Sequence, residues 1–599
     1  MQNRNLENSI LGLNWQQKNF DERLARGINQ RFELSESLSE ILAAKEISLD
    51  EIENFLEPKI KNILPNPFDL GDMEKAVACV IEAISQRKKI TIFADYDVDG
   101  ATSSALLRRF FREVGIEVGI YVPDRVLEGY GPNSQALLNL KKNGSDLVIT
   151  VDCGTVAFAP LTAAKKAGLE IIVIDHHLGV LERPDAIAVI NPNLLDEKFP
   201  HKNLCAAGVS FLFAVAINKS LREKGFYADK KEPSLFNLLD LVALGTVCDV
   251  MPLTGLNRAF VAAGLKILKQ RKNLGLRQIC DLAGLDEEPT AYTLGFIIGP
   301  RINAGGRVGK SDLGAKILSS EDEAEISEIA LQLENLNKQR KEIEAQVLDE
   351  AVKGLESKVG GFSTSDPVIF AMSKNWHQGV IGIVASRLKD LYNKPVAVIA
   401  IDDKAGKGKA SCRSISGIDF GAEILKARLE GLLPEGGGHA MAGGFSVLPE
   451  KISELHQFFC NNLAEKIAEL GGKKTMEFAA TLDLPQVNVE FLKELSKLEP
   501  FGTANVRPKF ILRDLQKVKA SLVGQNQDHI SCIFTSKTLV GFNGQIQAIA
   551  FRAAQTPLAE ILLDPKFNKP INLAGSLNIN SWMGVEKVQM VIEDILIKN

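Results

Sequence analysis

Acidic and imidazole side chains cluster at three places in the first third of this sequence, each directly after a short apolar run. Ile90-Thr91-Ile92-Phe93 leads into Asp95-Tyr96-Asp97-Val98-Asp99-Gly100. Leu147-Val148-Ile149-Thr150-Val151 leads into Asp152-Cys153-Gly154, and Ile171-Ile172-Val173-Ile174 into Asp175-His176-His177. Five carboxylates and two imidazoles gathered at one place repel one another strongly, and the simplest remedy is one or two divalent cations. Carboxylate oxygen suits Mg²⁺ or Mn²⁺, and imidazole shifts the balance toward Mn²⁺. None of the 8 cysteines forms the C-x-x-C pair of a structural zinc site. An Asp-x-Asp pair can aim its carboxylates at neighbouring cations while another Asp bridges them. Two cations about 3.5–4 Å apart activate water and stabilise the leaving oxygen in phosphoryl chemistry. Singly, Asp-x-Asp-Gly is an ordinary turn and His-His an ordinary polar edge. Three clusters at the ends of successive β-rich runs are harder to explain that way.

The elements that must position them alternate between β-rich runs and helical stretches from about residue 60 to 315. Strands at 90–93, 118–122, 147–151 and 171–174 are separated by helices near 103–114, 134–142 and 157–167. That alternation predicts βαβ units, an α/β fold and a mostly parallel sheet. Ligands of such sheets bind outside the carboxyl ends of the strands, where the three clusters fall. Ser320-x-x-Glu323 has the form of a capping box and opens a charged run whose apolar residues recur at three, four and seven. One helix over the run from 320 to 353, which no Gly or Pro interrupts, would be roughly 50 Å long. It reads as an interdomain connector or half of a coiled coil, and the narrow stripe favours the connector. A second, smaller α/β segment follows, with residues 396–401 as its clearest strand. Short β runs at 510–512, 530–534, 546–551 and 588–592 then suggest a C-terminal β-barrel. The expected division is a helical extension at 1–60, a catalytic domain at 61–318, the connector at 319–358, the second α/β domain at 359–472 and the barrel at 473–599.

The 599 residues carry a net charge of −5 from 70 basic and 75 acidic side chains, with 45% hydrophobic and 24% charged residues. These values exclude wholesale disorder and a polybasic coat, but not a local basic groove. The longest unbroken apolar run, 211–217, is too short to cross a bilayer, and the first residues lack the pattern of a signal peptide. The reading is a reduced, cytoplasmic protein with no membrane partner. Of 7 histidines, four (His176, His177, His377 and His439) fall in Gly- or Asp-rich stretches. Gly436-Gly437-Gly438-His439 and Gly443-Gly444 read as a loop whose backbone approaches an anion, or as a tight turn. Ser411-Cys412-Arg413-Ser414 sets a guanidinium among hydroxyls, which suits a phosphate. Trp376 and His377 are candidates for a base-facing surface, with a core role equally open for Trp376.

Taken together, residues 94–103, 151–154, 175–177 and 244–253 resemble the four signature motifs of the DHH phosphoesterase superfamily. Their order and spacing resemble the RecJ type of single-strand-specific DNA exonuclease. Gly299-Pro300-Arg301-Ile302-Asn303-Ala304-Gly305-Gly306-Arg307 and the stretch 436–444 extend the match, the latter resembling the DHH-associated domain. The stretch from Pro500 onward resembles the OB-fold of the same family, with Lys517, Lys519 and Phe551 available to a strand.

The resemblance implies that Asp97, Asp99, Asp152, His176 and Asp249 hold two Mn²⁺ or Mg²⁺ ions. Asp152 would bridge, His177 would stand beside them, and Asp95 would be a further ligand or lie behind them. It implies that Ser411 and Arg413, with Arg301 or Arg307, hold a terminal 5′-phosphate. Asn303, Trp376, His377, Gly437, Gly438 and His439 complete the candidate substrate contacts. Departures are mild: Ala94 for a common glycine, Cys248 for a small residue and Gln378 for Glu. The implied activity is 5′→3′ hydrolysis of single-stranded DNA in repair and recombination. A single-strand-binding protein and a helicase are the implied partners. The alternatives are a DHH phosphodiesterase acting on oligoribonucleotides or cyclic dinucleotides, and a non-catalytic replication scaffold.

Overall fold

Five short parallel strands build the sheet that carries the acidic clusters. In the computed structural model, which describes residues 9–125, 127–471, 474–536, 544–582 and 585–597, these are β1 (Ile90–Ala94), β2 (Gly119–Tyr121), β3 (Leu147–Val151), β4 (Glu170–Ile174) and β5 (Ala188–Ile190). Their order across the sheet is β2-β1-β3-β4-β5. β1 and β3 are buried at every position, as apolar runs covered by helices on both faces must be. Ala94 pairs with Val151, and Val151 with Ile174. The strands therefore end level, and Asp95, Asp152 and Asp175 leave the sheet side by side.

Helix α1 (Val98–Glu113) begins earlier than the sequence pattern suggests, because Asp97 caps it by accepting from the Asp99 and Gly100 amides. Asp99 thus lies in a first helical turn and not in a loop. A Cβ on Gly100 would fall 2.3 Å from the Asp95 carbonyl oxygen, so only glycine lets this turn close against the strand end. Apolar faces of α1, α2 (Ala206–Glu223) and α3 (Leu239–Cys248) form the core beneath the rim, with Phe110, Phe213 and Leu244 fully buried. α4 (Gly299–Val308) follows a π-helical turn, Thr293–Ile298.

The connector α5 (Glu323–Glu356) is one helix of 34 residues. Its cap is Asp322, which accepts from Ala324 and Glu325; Ser320 instead hydrogen-bonds the Glu325 carboxylate. Ile326, Ile329 and Leu333 pack into the first core, and Val347, Ala351 and Leu355 into a second. Shared between two cores, the stripe serves as a connector and no coiled-coil seam is needed. The second core lies under a five-stranded sheet built from β6 (Ile369–Ser373), β7 (Val396–Asp402), β8 (Lys407–Arg413), β9 (Glu435–His439) and β10 (Ala442–Val447), with α6 (Ile381–Tyr392) and α7 (Phe420–Leu429). The sheet order is β9-β10-β8-β7-β6. The glycine stretch is therefore an edge hairpin, not a loop: Gly437 pairs with Gly444 and Gly438 with Gly443.

Among the described residues, those of 59–470 with 502–504 form one compact unit, and those of 1–58, 471–501 and 505–599 form the other. In the second unit, β11 (Phe510–Val523), β12 (His529–Ser536), β13 (Gln545–Ala550), β14 (Ile571–Trp582) and β15 (Val585–Ile597) close into a barrel through the β11–β14 pairing. Residues 9–58 do not stand alone. Ile28, Leu38 and Leu42 share the barrel's core with Leu498, Phe510 and Leu512, and Asn14–Gln17 pairs in parallel with Thr475–Phe478. The boundary expected at 472–473 lies outside the described residues. Lys517 turns its ammonium onto the Ile561 and Asp564 carbonyls, at 2.9 and 2.6 Å, which commits it to the barrel's own structure. Lys519 and Phe551 are exposed.

Candidate active site

At the level strand ends the acidic and imidazole side chains converge. His176 Nε2 lies 3.3 Å from Asp152 Oδ1, 3.4 Å from Asp249 Oδ2 and 3.8 Å from Asp99 Oδ2. Three groups of donor atoms come within 4.8 Å of one another: Asp95–Asp97–Asp152, Asp152–His176–His177 and Asp99–His176–Asp249. Asp152 and His176 each belong to two of them, so the groups interlock as they would around paired cations.

The donors fit cations by a second observation. Asp95 Oδ1, Asp152 Oδ1, Asp249 Oδ2 and His176 Nε2 are buried with no hydrogen-bond partner among the described residues, a condition folded proteins otherwise avoid. Burial, and after it the charge of Asp97, pushes the Asp95 and Asp152 carboxyls well above the usual range and that of Asp99 up to about 7. Asp249 is pushed to about 9 by burial, then by Asp99 and Asp97. Burial and then His177 lower His176 to about 4, leaving a neutral imidazole suited to ligation. A bound cation reverses this logic and lets the carboxylates ionise together.

Asp175, counted among the converging carboxylates in the sequence, plays another part. Its oxygens accept from the His176, His177 and Thr155 amides and face His177 Nδ1 at 2.8 Å. Although burial opposes its charge, these bonds hold its pKa below the ordinary range. It is an anchor for the two histidines. Asn193 and Asn191 donate to the His176 and His177 carbonyls. Asp152 sits at φ +62, a left-handed conformation that costs a non-glycine residue on the order of 1–3 kcal/mol.

A cationic pocket stands in the same unit. On β8, alternation sends Ser411 and Arg413 to one face, while Cys412 and Ser414 are buried. Ser414 bonds the Ile418 carbonyl and is not part of the pocket. Arg413 turns toward Ser386 of α6 (3.2 Å) and Ser411 (3.4 Å). Arg307 of α4 donates to the Gly379 carbonyl, and burial followed by Arg125, Arg340 and other cations lowers it to about 10. Arg301 is committed elsewhere, held by Glu334 at 2.6 Å and by the Ile297 carbonyl. Asn303 is half-buried on α4.

Trp376 is 7% exposed, lies in the second core and donates to Glu350 at 2.8 Å. That places it in the core. His377 is exposed, accepts from the Gly379 amide and adjoins Arg307 through that residue. Gly437, Gly438 and His439 are exposed on β9.

Arg125 and Tyr130 were not legible as candidates. The Arg125 guanidinium lies 4.8 Å from the Tyr96 ring centre, between the acidic cluster and the pocket. Tyr130 donates to the Asp152 carbonyl at 2.9 Å and lies 3.2 Å from His177 Nδ1. The signal was the strand-end rule applied to β2, after which both residues follow.

A parallel sheet ending in interlocked carboxylates and imidazole, joined by a long helix to a smaller α/β domain with an arginine pocket, defines a DHH-type phosphoesterase. Residues 89–246 match the DHH family N-terminal domain, 365–495 the DHHA1 domain and 478–594 the RecJ OB domain. The chain is 31% identical over 585 residues to the single-stranded-DNA-specific exonuclease RecJ of Bacillus subtilis, covering 97% of this chain and 70% of that protein. It is 33% identical to the Haemophilus influenzae protein of the same name, covering 90% and 93%. The crystal structure of RecJ in complex with Mn²⁺ from Thermus thermophilus superposes with a TM-score of 0.77 at 28% identity, covering 97% of this chain and 79% of that one. The chain belongs to the RecJ family of single-stranded-DNA-specific exonucleases.

Proposed function

We propose that this chain degrades single-stranded DNA from its 5′ end with the aid of two Mn²⁺ or Mg²⁺ ions. The carrying observation is the pairing of an over-acidic, hydrogen-bond-starved cluster with a separate arginine pocket in one unit. Asp97, Asp99, Asp152, His176 and Asp249 would hold the ions, and Asp95 turns a bare oxygen to the same place. Bound there, the ions supply the charge that activates water and stabilises the leaving oxygen. His177 keeps Nδ1 toward Asp175 and Tyr130, so that Nε2 is available to the scissile phosphate. Arg413, Arg307 and Arg125 suit a terminal phosphate, which carries more charge than an internal diester.

Tyr292 and Phe296 support a path for the rest of the strand. They are 64% and 70% exposed and stack at 4.8 Å. At spacings of four, four, three and four, Tyr292, Phe296, Pro300, Asn303 and Arg307 form one helical ridge. Gly299, midway, packs against Cys248 beside Asp249. A strand with its terminal phosphate at Arg307 would cross the acidic cluster and lay later bases toward the aromatic pair, a sequence-tolerant stacking surface. The domain division at 60, 318, 358 and 472 belongs to this reading, with the barrel as a further strand-holding part. So do a setting in the cytoplasm and a single-strand-binding protein and a helicase as partners. No helix among the described residues is long and apolar enough to cross a membrane.

The test is end-labelled DNA. With Mn²⁺, 5′-labelled single strands should release labelled mononucleotide at once and 3′-labelled strands only late, with duplex and RNA resistant. Early release of a 3′ label, or preference for RNA, would overturn the reading.

A further inference from the structure

Tyr130 belongs to none of the acidic motifs, yet its hydroxyl joins two of them. The residue is 52% exposed, but the hydroxyl turns inward, donating to the Asp152 carbonyl at 2.9 Å and lying 3.2 Å from His177 Nδ1. The ring stands edge-on to that imidazole at 5.7 Å. The segment bearing it is pinned by Glu128, which accepts from the Asp124 amide, the Tyr121 hydroxyl and the Asn133 side chain.

Counting protons fixes the direction of these bonds. The Asp152 carbonyl can only accept, so it takes the single tyrosine proton. The Asp175 carboxylate, 2.8 Å from His177 Nδ1, can also only accept, so Nδ1 carries a proton and shares it between Asp175 and the tyrosine oxygen. Nε2 is then the ring nitrogen without a protein partner among the described residues. The carbonyl that Tyr130 holds belongs to the left-handed residue at the centre of the acidic cluster.

We propose that Tyr130 is a positioning residue: its hydroxyl clamps the left-handed Asp152 peptide and the His177 ring in one arrangement, so that the shared carboxylate and the second imidazole keep a fixed mutual geometry. The proposal rests on the two-cation reading of the cluster. It differs from a substrate contact in acting through the hydroxyl alone, and from a cation ligand in touching none of the donor oxygens.

Tyr130→Phe removes the hydroxyl and keeps the ring; Tyr130→Ala removes both. Loss of a group that orients ligands typically lowers activity or cation affinity about 10- to 100-fold. The expected result for Tyr130→Phe is a kcat on single-stranded DNA lowered about tenfold, KM within twofold of wild type and a melting temperature within a few degrees of wild type. Calorimetric titration with Mn²⁺, without DNA, should show the same number of ions bound severalfold more weakly. A Phe variant with wild-type kcat and Mn²⁺ affinity overturns the clamp. So does a Phe variant like wild type beside an Ala variant with raised KM, which would make the ring a substrate contact. If the wild type fails to cleave DNA, the exonuclease reading fails, whereas the clamp is still decided by the Mn²⁺ titrations of wild type and Phe variant.

Discussion

The acidic rim and the arginine pocket are mirror images in charge, and each is incomplete in the same sense. On the rim, four buried donor atoms lack a hydrogen-bond partner among the described residues, and burial together with like charge drives several carboxyls upward. In the pocket, Arg413 is met by two serine hydroxyls and the Cys412 carbonyl, and Arg307 by the Gly379 carbonyl. Three residues of the same types are satisfied by the protein itself: Arg301 has Glu334, Arg340 has Glu344, and Asp175 has three amides and an imidazole. Residue type does not separate functional from structural positions here. The charge left uncompensated does, and its sign names the missing ligand: cations at the rim, phosphate in the pocket.

The sharpest way to break the comparison is to remove charge from the rim. Asp152→Asn keeps the size and tolerates the left-handed backbone, but takes one carboxylate from both interlocking groups. Turnover should fall by more than about 100-fold, beyond the usual effect of an outer-shell change. Because like charges crowd this residue, the cation-free variant should melt no lower than cation-free wild type. The melting-temperature increase on adding Mn²⁺, which reports binding to the native state, should shrink. A variant keeping more than a few percent of wild-type turnover would sink the shared-carboxylate assignment.

The pocket gives the next largest effects. Charge-assisted bonds are worth about 1.5–3 kcal/mol each, so Arg413→Ala should slow 5′-phosphorylated strands at least about tenfold and 5′-hydroxyl strands much less. Lysine at 413 should restore part of the loss, having the charge without the planar fork. Arg307→Ala should share this end-dependence. Arg301→Ala should not: its partner is a carboxylate, so initial rates on both ends should fall equally or hardly at all, with a lower melting temperature. Equal slowing of both ends by Arg413→Ala would return that residue to the general groove.

Much of this was legible in sequence because strand ends, acidic clusters and parallel-sheet geometry are linked by local rules. Asp95, Asp152 and Asp175 could be placed on one rim from the runs that precede them. Which of these carboxylates would be used up by backbone amides was not legible, since that depends on the path after His177 and on Asn191 and Asn193. The glycine stretch misled because glycine serves loops and close-packed strands alike; the α7 backing and the β10 register decide it. The role of residues 9–58 was hidden by distance along the chain, as their apolar faces meet partners more than 400 positions away. Arg125 and Tyr130 carry no motif of their own. Only the position of β2 beside β1 brings their segment to the rim.

The smallest expected effect tests the satisfied side of the comparison. Trp376 read in sequence equally as a surface for bases or as core; its ring is buried and its indole N–H reaches Glu350 of the connector helix at 2.8 Å. Trp376→Phe keeps an aromatic ring in the second core while deleting that bond and some volume. A hydrogen bond of this kind contributes about 1 kcal/mol net, and the smaller ring adds a packing loss of similar order. Nothing in this change alters charge at the rim or in the pocket. Melting temperature should fall by a few degrees, while kcat and KM on single-stranded DNA at 25 °C stay within twofold of wild type. A several-fold rise in KM with an unchanged melting temperature would mean that Trp376 meets the strand. The rule that compensated groups are structural would then have failed at the residue where it makes its plainest claim.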